Sequence, residues 1–412
     1  MNWERSVAYR YLRYLWTYRF TAGGKWVITA LLSSAVLGSA TVEIPVYQIF
    51  CALLVLLCAD RITGFLLRPK LEVLGAFPTQ AVAGQWVTGR YELVNRGRWP
   101  AFDLGLRFLR LPRSFDAVDP ETTWGDLAPG ERRTAMIRLC PQRRGLHTLP
   151  PPRAYSTFPF NLTRDGRSQA QASSVLVLPH FHPLTSLDVP IGTRYQPGGI
   201  ALTSNVGESP EYIGNREYVA GDAARRIDHR SWARLARPVV REYQEEYYCR
   251  VALVLDTFVP AGRRIGRRGF ADLEAAISLS ASVADALSRG EYLIDLFAAG
   301  PELYVFRAGR HTAHFDNLME IVACVQACRR NPFETIAPAL ADELTNISTV
   351  IGVLLDWDAS RRRLAQTAVE MGCSVKLLVV RDGETTEPID FDEGQVIRLS
   401  IDQVVQGGIE VL

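Results

Sequence analysis

The apolar and polar positions divide the chain into regions of different texture, and the first is a long apolar stretch near the N-terminus. Between Trp26 and Ala59 the only charged residue is Glu43. Each half of the stretch is about 16–17 residues long, at the short end of what crosses a bilayer as a helix. The pattern predicts two close-set membrane spans, Trp26–Val42 and Ile44–Ala59, joined by a tight turn. A shallow re-entrant hairpin is one alternative. A cleavable signal peptide is another, although the second apolar run would still anchor the protein.

Basic residues flank this hairpin on both sides, whereas its turn carries only an acidic residue. Three precede it and three follow it: Arg13, Arg19, Lys25, Arg61, Arg68 and Lys70. Because cytoplasmic flanks carry the excess of Lys and Arg, a multi-pass protein with its soluble domains in the cytoplasm is predicted. One aromatic helical face precedes the hairpin: Val7, Tyr11, Tyr14 and Tyr18. Residues 1–68 are therefore interpreted as an interfacial helix and a transmembrane hairpin, with a plain cytosolic lead-in as the alternative for the helix.

Residues 69–180 show short alternating runs separated by turn residues such as Asn95-Arg96-Gly97. The runs that predict strands are Gln85–Leu93, Asp103–Leu109, Arg133–Leu139 and Ser174–Leu178. Even spacing of short strands with such turns is typical of a β-sandwich. A sandwich of about 100–110 residues is therefore expected here.

Strand and helix patterns alternate over residues 249–412. Predicted strands are Val251–Asp256, Tyr292–Ala298, Leu303–Arg307, Thr349–Leu355 and Val375–Val380. Predicted helices are Phe270–Arg289, Phe315–Cys328 and Ser360–Met371. This alternation predicts an α/β domain with a doubly wound, mainly parallel sheet covered on both faces. Ligands of such sheets bind at the carboxyl ends of the strands, where Asp256 and Asp356 fall.

The net charge and the sequence motifs limit the classes of function that are expected. The 412 residues carry a net charge of only +2, which gives no sign of a nucleic-acid partner. No Gly-rich nucleotide fingerprint occurs, so any ATP use would belong to a partner. Asp228, His229 and Ser231 are the residue types of a hydrolytic triad, but they lie within four positions and cannot converge from separate elements. A non-enzymatic protein is expected, with an uncharacterised hydrolase as an alternative.

A dense polar block lies within residues 181–248, which form the linker between the two soluble regions. It resembles the signature of the bacterial family called domain of unknown function 58. The residues that match that signature in order are Arg216, Glu217, Tyr218, Gly221, Asp222, Arg225, Ile227, Ser231, Ala233 and Arg234. His229 stands where the family has Trp, and Trp232 is displaced along the block. The block can be a structural ion-pair network or a docking surface for a partner, since Arg holds carboxylates in either role.

The family resemblance implies an architecture and a partner for the whole chain. It implies a membrane hairpin, an immunoglobulin-like β-sandwich and a C-terminal α/β domain similar to the von Willebrand factor type A fold. The implied location is the inner (cytoplasmic) membrane. The implied partner is a MoxR-type AAA+ ATPase, in chaperone-like assembly or stress response. The chain is therefore expected to be a membrane-anchored protein-interaction adaptor.

The type A resemblance raises the question of a metal site at the strand ends. Such sites begin with Asp-x-Ser-x-Ser after a strand, because Mg²⁺ prefers oxygen ligands. Here Phe258 and Pro260 follow Asp256 and replace both hydroxyls. Asp356 and Asp358 remain as weak candidates for further metal ligands. Because both hydroxyl ligands are missing, no cofactor is expected. The alternative is an Mg²⁺-dependent adhesion module with atypical ligands. The following loop carries four arginines that favour an acidic partner, or form a solvated basic loop: Arg263, Arg264, Arg267 and Arg268.

Overall fold

The computed structural model describes the chain except for residues 1–6, 41–43, 118–124, 191–211, 221, 223, 244–249, 291, 300–302, 308–314, 332, 345–346 and 393. The protein is multi-domain, with two compact units. The first comprises Met1–His180 with the short segments Ile265–Gly269 and Val322–Cys324. The second comprises Phe181–Arg264, Phe270–Ile321 and Val325–Leu412.

The first unit begins with helices. They are α1 (Val7–Tyr14), a π-helical turn (Leu15–Arg19), α2 (Ala22–Ala40) and α3 (Ile44–Leu66). Both predicted spans fall on helices that begin at or before the predicted start, and Val42 and Glu43 lie outside the described residues. Within α3, Pro45–Leu66 is long and apolar enough to cross a membrane, with a mean hydropathy of 2.1, and it alone among the described helices meets that test. The structure thus supports one membrane-crossing helix by length and composition.

Helices α2 and α3 pack against each other near the turn that joins them. The Tyr47 hydroxyl donates a hydrogen bond to the Gly38 carbonyl oxygen at 2.8 Å. A Cβ at Gly38 would lie 3.6 Å from Val46, in ordinary contact. Gly38 therefore lies at the contact between the two helices, where small residues are common in membrane proteins, and the position has room for a methyl group.

A β-rich region follows α3. Its strands are β1 (Lys70–Ala76), β2 (Gln80–Val82), β3 (Val87–Asn95), β4 (Leu104–Arg107), β5 (Phe115–Ala117), β6 (Arg132–Pro141), β7 (Gly145–Leu149), β8 (Arg153–Ser156), β9 (Arg167–Gln169) and β10 (Ser173–Leu178). They form three sheets, in the orders β5-β6-β3-β1-β9, β2-β10-β7 and β4-β8. Side chains from all three sheets share one core, which includes Leu93, Leu106, Leu139 and Val175. Burial of these alternating apolar side chains is what holds the sheets together.

The second unit contains a two-stranded and a six-stranded sheet. The former pairs β11 (Tyr212–Glu217) with β12 (Val239–Tyr243), and α4 (His229–Leu235) lies between them in sequence. The latter has β13 (Arg250–Leu255), β14 (Leu293–Ala299), β15 (Leu303–Arg307), β16 (Thr349–Leu354), β17 (Ser374–Val380) and β18 (Val396–Leu399). Its order is β15-β14-β13-β16-β17-β18. All neighbours are parallel except the edge pair β14 and β15, so the sheet is mixed but mainly parallel.

Five helices accompany the six-stranded sheet among the described residues. They are α5 (Ala271–Arg289), α6 (Phe315–Cys324), α7 (Phe333–Glu343), α8 (Ala359–Glu370) and α9 (Ile401–Gln406). Helices α5, α7 and α8 contact its strands, and α9 packs on α5. Ala252 and Val254 pack in one core with residues of α7 and α8, such as Ile336 and Leu364. Their neighbour Leu253, which points to the opposite face of the strand, is equally buried. Burial on both faces explains why these strands read as continuous apolar runs.

One helix is shorter than the sequence predicted. The pattern extended α6 to Cys328, but the helix ends at Cys324. The backbone N–H of Cys328 instead donates to the Thr257 carbonyl at 2.8 Å, and that of Val259 donates to the Cys328 carbonyl at 3.0 Å. The apolar spacing continues, but the backbone pairs with the loop that follows β13.

Candidate functional site

Asp256 directly follows β13, and its carboxylate is completely buried. Arg361, in the first turn of α8, donates to its Oδ2 from Nε at 2.8 Å and from Nη2 at 2.6 Å. The backbone N–H of Leu355 donates to the same oxygen at 2.9 Å, and that of Phe258 donates to Oδ1 at 2.9 Å. Both carboxylate oxygens are therefore engaged by donors of the chain itself. A partner cannot reach Asp256, so the sequence prediction that it contributes to a contact surface is wrong.

Arg361 is as enclosed as the carboxylate it binds, since its side chain is only 2% exposed. Its guanidinium lies over the rings of Phe258 and Phe333, 5.9 Å and 5.1 Å from their centroids. Burial raises the pKa of the Asp256 carboxyl, and the guanidinium and the backbone N–H groups oppose that rise. Burial would lower the pKa of Arg361, but Asp256 and Asp358 raise it above its usual value. The guanidinium is therefore charged and holds the carboxylate in an ion pair.

The other two carboxylates predicted near the strand ends also have arginine partners. Asp358 caps α8 by accepting from the backbone N–H groups of Ser360 and Arg361 at 3.0 and 3.1 Å, and it ion-pairs with the Arg361 guanidinium. Asp356 ion-pairs with Arg381 at 2.5 Å and accepts from the Thr386 hydroxyl at 2.7 Å. Burial acts to raise the pKa of Asp356, but the hydrogen bonds from Thr386 outweigh it and hold that pKa below its usual value.

These contacts define what the strand ends can do chemically. Two guanidinium groups pair with the three carboxylates, because Arg361 serves both Asp256 and Asp358 and Arg381 serves Asp356. Most of the negative charge that would attract a divalent cation is therefore compensated. Phe258, which stands where the motif needs a hydroxyl, packs on the Arg361 guanidinium. Among the described residues, no group of three His, Cys, Asp or Glu side chains is arranged to hold a metal ion. The geometry is that of a closed structural ion-pair cluster.

The four loop arginines lie at the surface. Arg263, Arg264, Arg267 and Arg268 are all exposed. Arg263 pairs with Asp272, in the first turn of α5, at 2.7 Å. Part of its charge is thus used to hold the loop to the helix.

The signature block forms the β11–β12 hairpin and α4, and it has its own ion-pair network. Arg216 binds Asp222 through two parallel hydrogen bonds of 2.8 and 2.7 Å. The backbone N–H of Val219 adds a third bond to Asp222 at 2.9 Å. The Arg216 guanidinium, followed by the Val219 N–H, lowers the pKa of Asp222. Such fork-like pairing fixes the turn after β11.

Asp228 fixes the start of α4 through hydrogen bonds to its carboxylate. It accepts hydrogen bonds from the Ser231 hydroxyl at 2.7 Å, the Asn215 amide at 3.2 Å and the Arg230 backbone N–H at 3.2 Å. These bonds, that of Ser231 first, lower its pKa to about 2. Asp228 therefore caps the helix and ties it to β11, so the triad-like residue types serve structure.

The remaining side chains of the block are turned to solvent and are called here the block surface. It consists of Tyr218, Val219, Arg225, Arg230, Trp232, Ala233, Arg234 and Leu235. Val219 is 61% exposed and Trp232 is 40% exposed, and the Trp232 ring stacks on His229. Glu217 pairs with Arg237, Ile227 is half-buried, and Gly221 lies outside the described residues. Large exposed aromatic and apolar side chains among arginines are the composition of a protein-binding surface.

Acid should release the Asp228 network well below neutral pH. The pKa of Asp228 is lowered from 3.8 to about 2, so its contribution to stability is present above pH 3.8. That contribution is lost as the pH falls from 3.8 towards 2. Carboxyl-carbon NMR of the full-length protein with labelled aspartate, assigned with the Asp228→Asn variant, should show a midpoint near 2. Ser231→Ala should move the midpoint upward, whereas a midpoint near 3.8 in the unaltered protein would contradict the network.

Sequence reasoning missed Arg361, the central residue of the buried pair. It lies in the predicted helix Ser360–Met371, at the head of the run Arg361-Arg362-Arg363. The sequence pattern of this run does not show that its first arginine is buried while the two that follow it are not. The available signal was local: Asp358 caps the helix three residues earlier, which places Arg361 in the first turn, facing the strand ends.

Comparison with known proteins gives a match to one family model and weak likenesses to solved structures. No curated protein matches it. Among solved structures, the CARDB domain of a Pyrococcus furiosus protein in complex with di-metal ions is 14% identical, and the match covers 27% of this chain and 94% of that one, with a TM-score of 0.16. A GH20 exo-β-N-acetylglucosaminidase from Vibrio harveyi, in complex with N-acetylglucosamine, is 9% identical over 84% of this chain and 81% of its own, with a TM-score of 0.17. At such scores neither likeness informs fold or function.

A family model gives the assignment that the polar block predicted. The match covers residues 214–369, which hold the block, β13, Asp256 and Arg361. The matching family is described as protein of unknown function DUF58, and the chain is similar to it over this segment.

Proposed function

We propose that this protein is a non-enzymatic, membrane-anchored adaptor that binds another protein through the block surface. The observation that carries the proposal is the exposure of Trp232, Val219 and the neighbouring arginines on a hairpin braced by ion pairs. A rigid support lowers the entropy that binding costs, because the side chains are already positioned. In this proposal the six-stranded unit is von Willebrand factor type A-like and the β-rich region is an immunoglobulin-like sandwich.

The closed strand ends favour binding over chemistry. In open α/β sheets, ligands bind and catalytic residues lie at the carboxyl ends of the strands. Here Asp256 is sealed by Arg361, and Asp356 and Asp358 are each held by an arginine. This cluster stabilises the unit that presents the block surface.

The anchor in this proposal is a hairpin of α2 and α3 in the inner membrane. Pro45–Leu66 is apolar and only 11% buried within the protein, as expected for a helix surrounded by lipid. Basic residues at the outer ends of the hairpin favour a cytoplasmic location for the β-rich region and the second unit. An ATPase in the cytoplasm could then reach the block surface.

The proposed partner is a MoxR-type AAA+ ATPase, which rests on the family resemblance. From the composition of the block surface we expect the partner to present an acidic face with an apolar pocket. Arg225, Arg230 and Arg234 suit carboxylates, and Trp232 suits the pocket.

The block surface is tested by capture of the partner. Trp232→Ala combined with Arg234→Glu should reduce recovery of the ATPase at least about 30-fold, because the loss of a single central Trp or Arg contact costs about 2 kcal/mol or more. The measurement is crosslinked affinity purification of the full-length protein from its native membranes, with and without ATP, read by mass spectrometry.

The matched control is Arg264→Glu combined with Arg268→Glu, which reverses charge at two exposed positions of the loop before α5. Recovery should stay within about twofold for this variant, since surface charges away from a contact contribute little. Unchanged recovery with the block variant, or loss only with the loop variant, would overturn the block surface as the binding site. Recovery of no ATPase by the folded, membrane-inserted protein would overturn the proposed partner.

A further inference from the structure

A cavity of about 850 Å³ lies within the first unit, between the N-terminal helices and the β-rich region. One side is formed by the π-helical turn and the first turns of α2, including Trp16, Lys25 and Trp26. The other side includes Arg107 and Arg164. Three cations therefore line the cavity, and its described lining contains no carboxylate. A cavity of this charge is suited to an anion.

The position of the cavity is fixed by the loop around residues 161–165. This loop holds the beginning of α2, because the backbone N–H of Thr21 donates to the Leu162 carbonyl at 3.1 Å. It also holds the last turns of α3, because Asp165 accepts from Arg61 at 2.6 Å. The cavity thus lies at the end of the helical pair where both helices carry their charged residues. In the proposed membrane orientation, that is the level of the lipid headgroups.

The aromatic residues at the cavity also indicate a position at the level of the lipid headgroups. Trp26 is 76% exposed and Trp16 is 46% exposed, so both present ring surface outside the protein. Exposed tryptophans of membrane proteins concentrate at the boundary between lipid and water. Lys25 lies between them, with its ammonium 5.9 Å from the Trp16 ring centroid. Beyond Lys25, α2 carries no further charge.

Arg164 offers a donor that the protein does not use. Its Nη1 donates to the Phe20 carbonyl at 2.8 Å, and its guanidinium lies over the Tyr155 ring at 5.5 Å. Its Nε is buried and has no hydrogen-bond partner among the described residues. A buried donor without an acceptor is costly, so the positive charge of this lining residue is incompletely compensated by the protein.

We infer that this cavity binds the phosphate headgroup of an anionic phospholipid, with Lys25, Arg107 and Arg164 as the cationic contacts and Trp16 and Trp26 at the acyl-chain boundary. The inference rests on the proposed membrane anchor. A basic pocket beside a membrane helix is a recognised form of lipid site, in which each cation adds about fivefold to affinity. The bound lipid would link the helical hairpin to the β-rich region.

The test is native mass spectrometry of the full-length protein, delipidated in dodecyl maltoside and titrated with dioleoyl phosphatidylglycerol or dioleoyl phosphatidylcholine. Phosphatidylglycerol should be retained at least about fivefold more tightly than phosphatidylcholine. Lys25→Gln and Arg107→Gln should each weaken its retention about fivefold. Lys25→Arg keeps the charge and should retain the lipid. Arg90→Gln, on an exposed position of β3 outside the cavity, should change nothing.

Three results would overturn the inference. Equal retention of the two lipids, or an equal loss with Arg90→Gln, would show only general surface attraction. Competition by glycerol 3-phosphate at the same concentration as the lipid would identify a soluble phosphate ester as the ligand. Alkaline carbonate extraction of the same membranes tests the anchor separately, so release of the protein would count against the hairpin and not against the cavity.

Discussion

Arg361→Ala is expected to destabilise the six-stranded unit by about 3–5 kcal/mol, because it leaves the Asp256 carboxylate buried without its cation. Asp256 is completely buried, and after the change only the N–H groups of Phe258 and Leu355 would remain to solvate it. The variant also removes a guanidinium that packs between two aromatic rings. Urea denaturation of the full-length protein, with pulse proteolysis of this unit, should show a midpoint lower by about 1–2 M.

The neighbouring arginines supply the controls. Arg363 lies two positions along the same helix and is exposed, so Arg363→Ala should change stability by no more than about 0.5 kcal/mol. The double variant Asp256→Leu with Arg361→Met replaces the pair by apolar side chains. It should recover most of the loss, since buried ion pairs exchange with apolar residues at little cost. Equal midpoints for Arg361→Ala and Arg363→Ala would show that the buried pair contributes nothing.

The elements with their own periodicity could be predicted from the sequence. The helices α2, α3 and α5 follow from apolar runs bounded by turn or polar residues, and so do the central strands β13, β16 and β17. The strands β2, β5 and β9 have three residues each and exist through their partners, so no local pattern marks them. The early end of α6 has the same origin, since backbone pairing with the loop after β13 replaces the last helical turn.

In the candidate site, too, some features follow from local sequence and others depend on residues that are distant along the chain. The place of Asp256 at a strand end follows from local sequence, and so does the loss of the hydroxyl ligands. Its closure by Arg361 joins residues 105 positions apart, which one sequence cannot reveal. The network of the signature block is recoverable because its partners are close along the chain. Asp222 is six residues from Arg216, and Asp228 is three from Ser231.

Gly24→Ala is expected to separate α2 from the β-rich region and to destabilise the first unit by about 1–3 kcal/mol or more. A Cβ at Gly24 would lie 2.1 Å from the Leu162 carbonyl oxygen, which is backbone and cannot rotate away. The helix would have to move by about 1 Å, which would break the bond from Thr21 to the same carbonyl.

Gly23 provides a control with the same change on the same helix. A Cβ there would meet its nearest atom, the Asn161 oxygen, at 3.6 Å, which is ordinary contact. Gly23→Ala should therefore be neutral, or stabilising by about 0.5–1 kcal/mol through higher helix propensity. Thermal unfolding of the full-length protein in detergent should give a midpoint several degrees lower for Gly24→Ala than for Gly23→Ala. Hydrogen exchange at residues 161–165 should rise only in the former. Equal midpoints would mean that α2 does not rest on the Leu162 carbonyl, and the cavity beside Lys25 would then lose the wall that defines it.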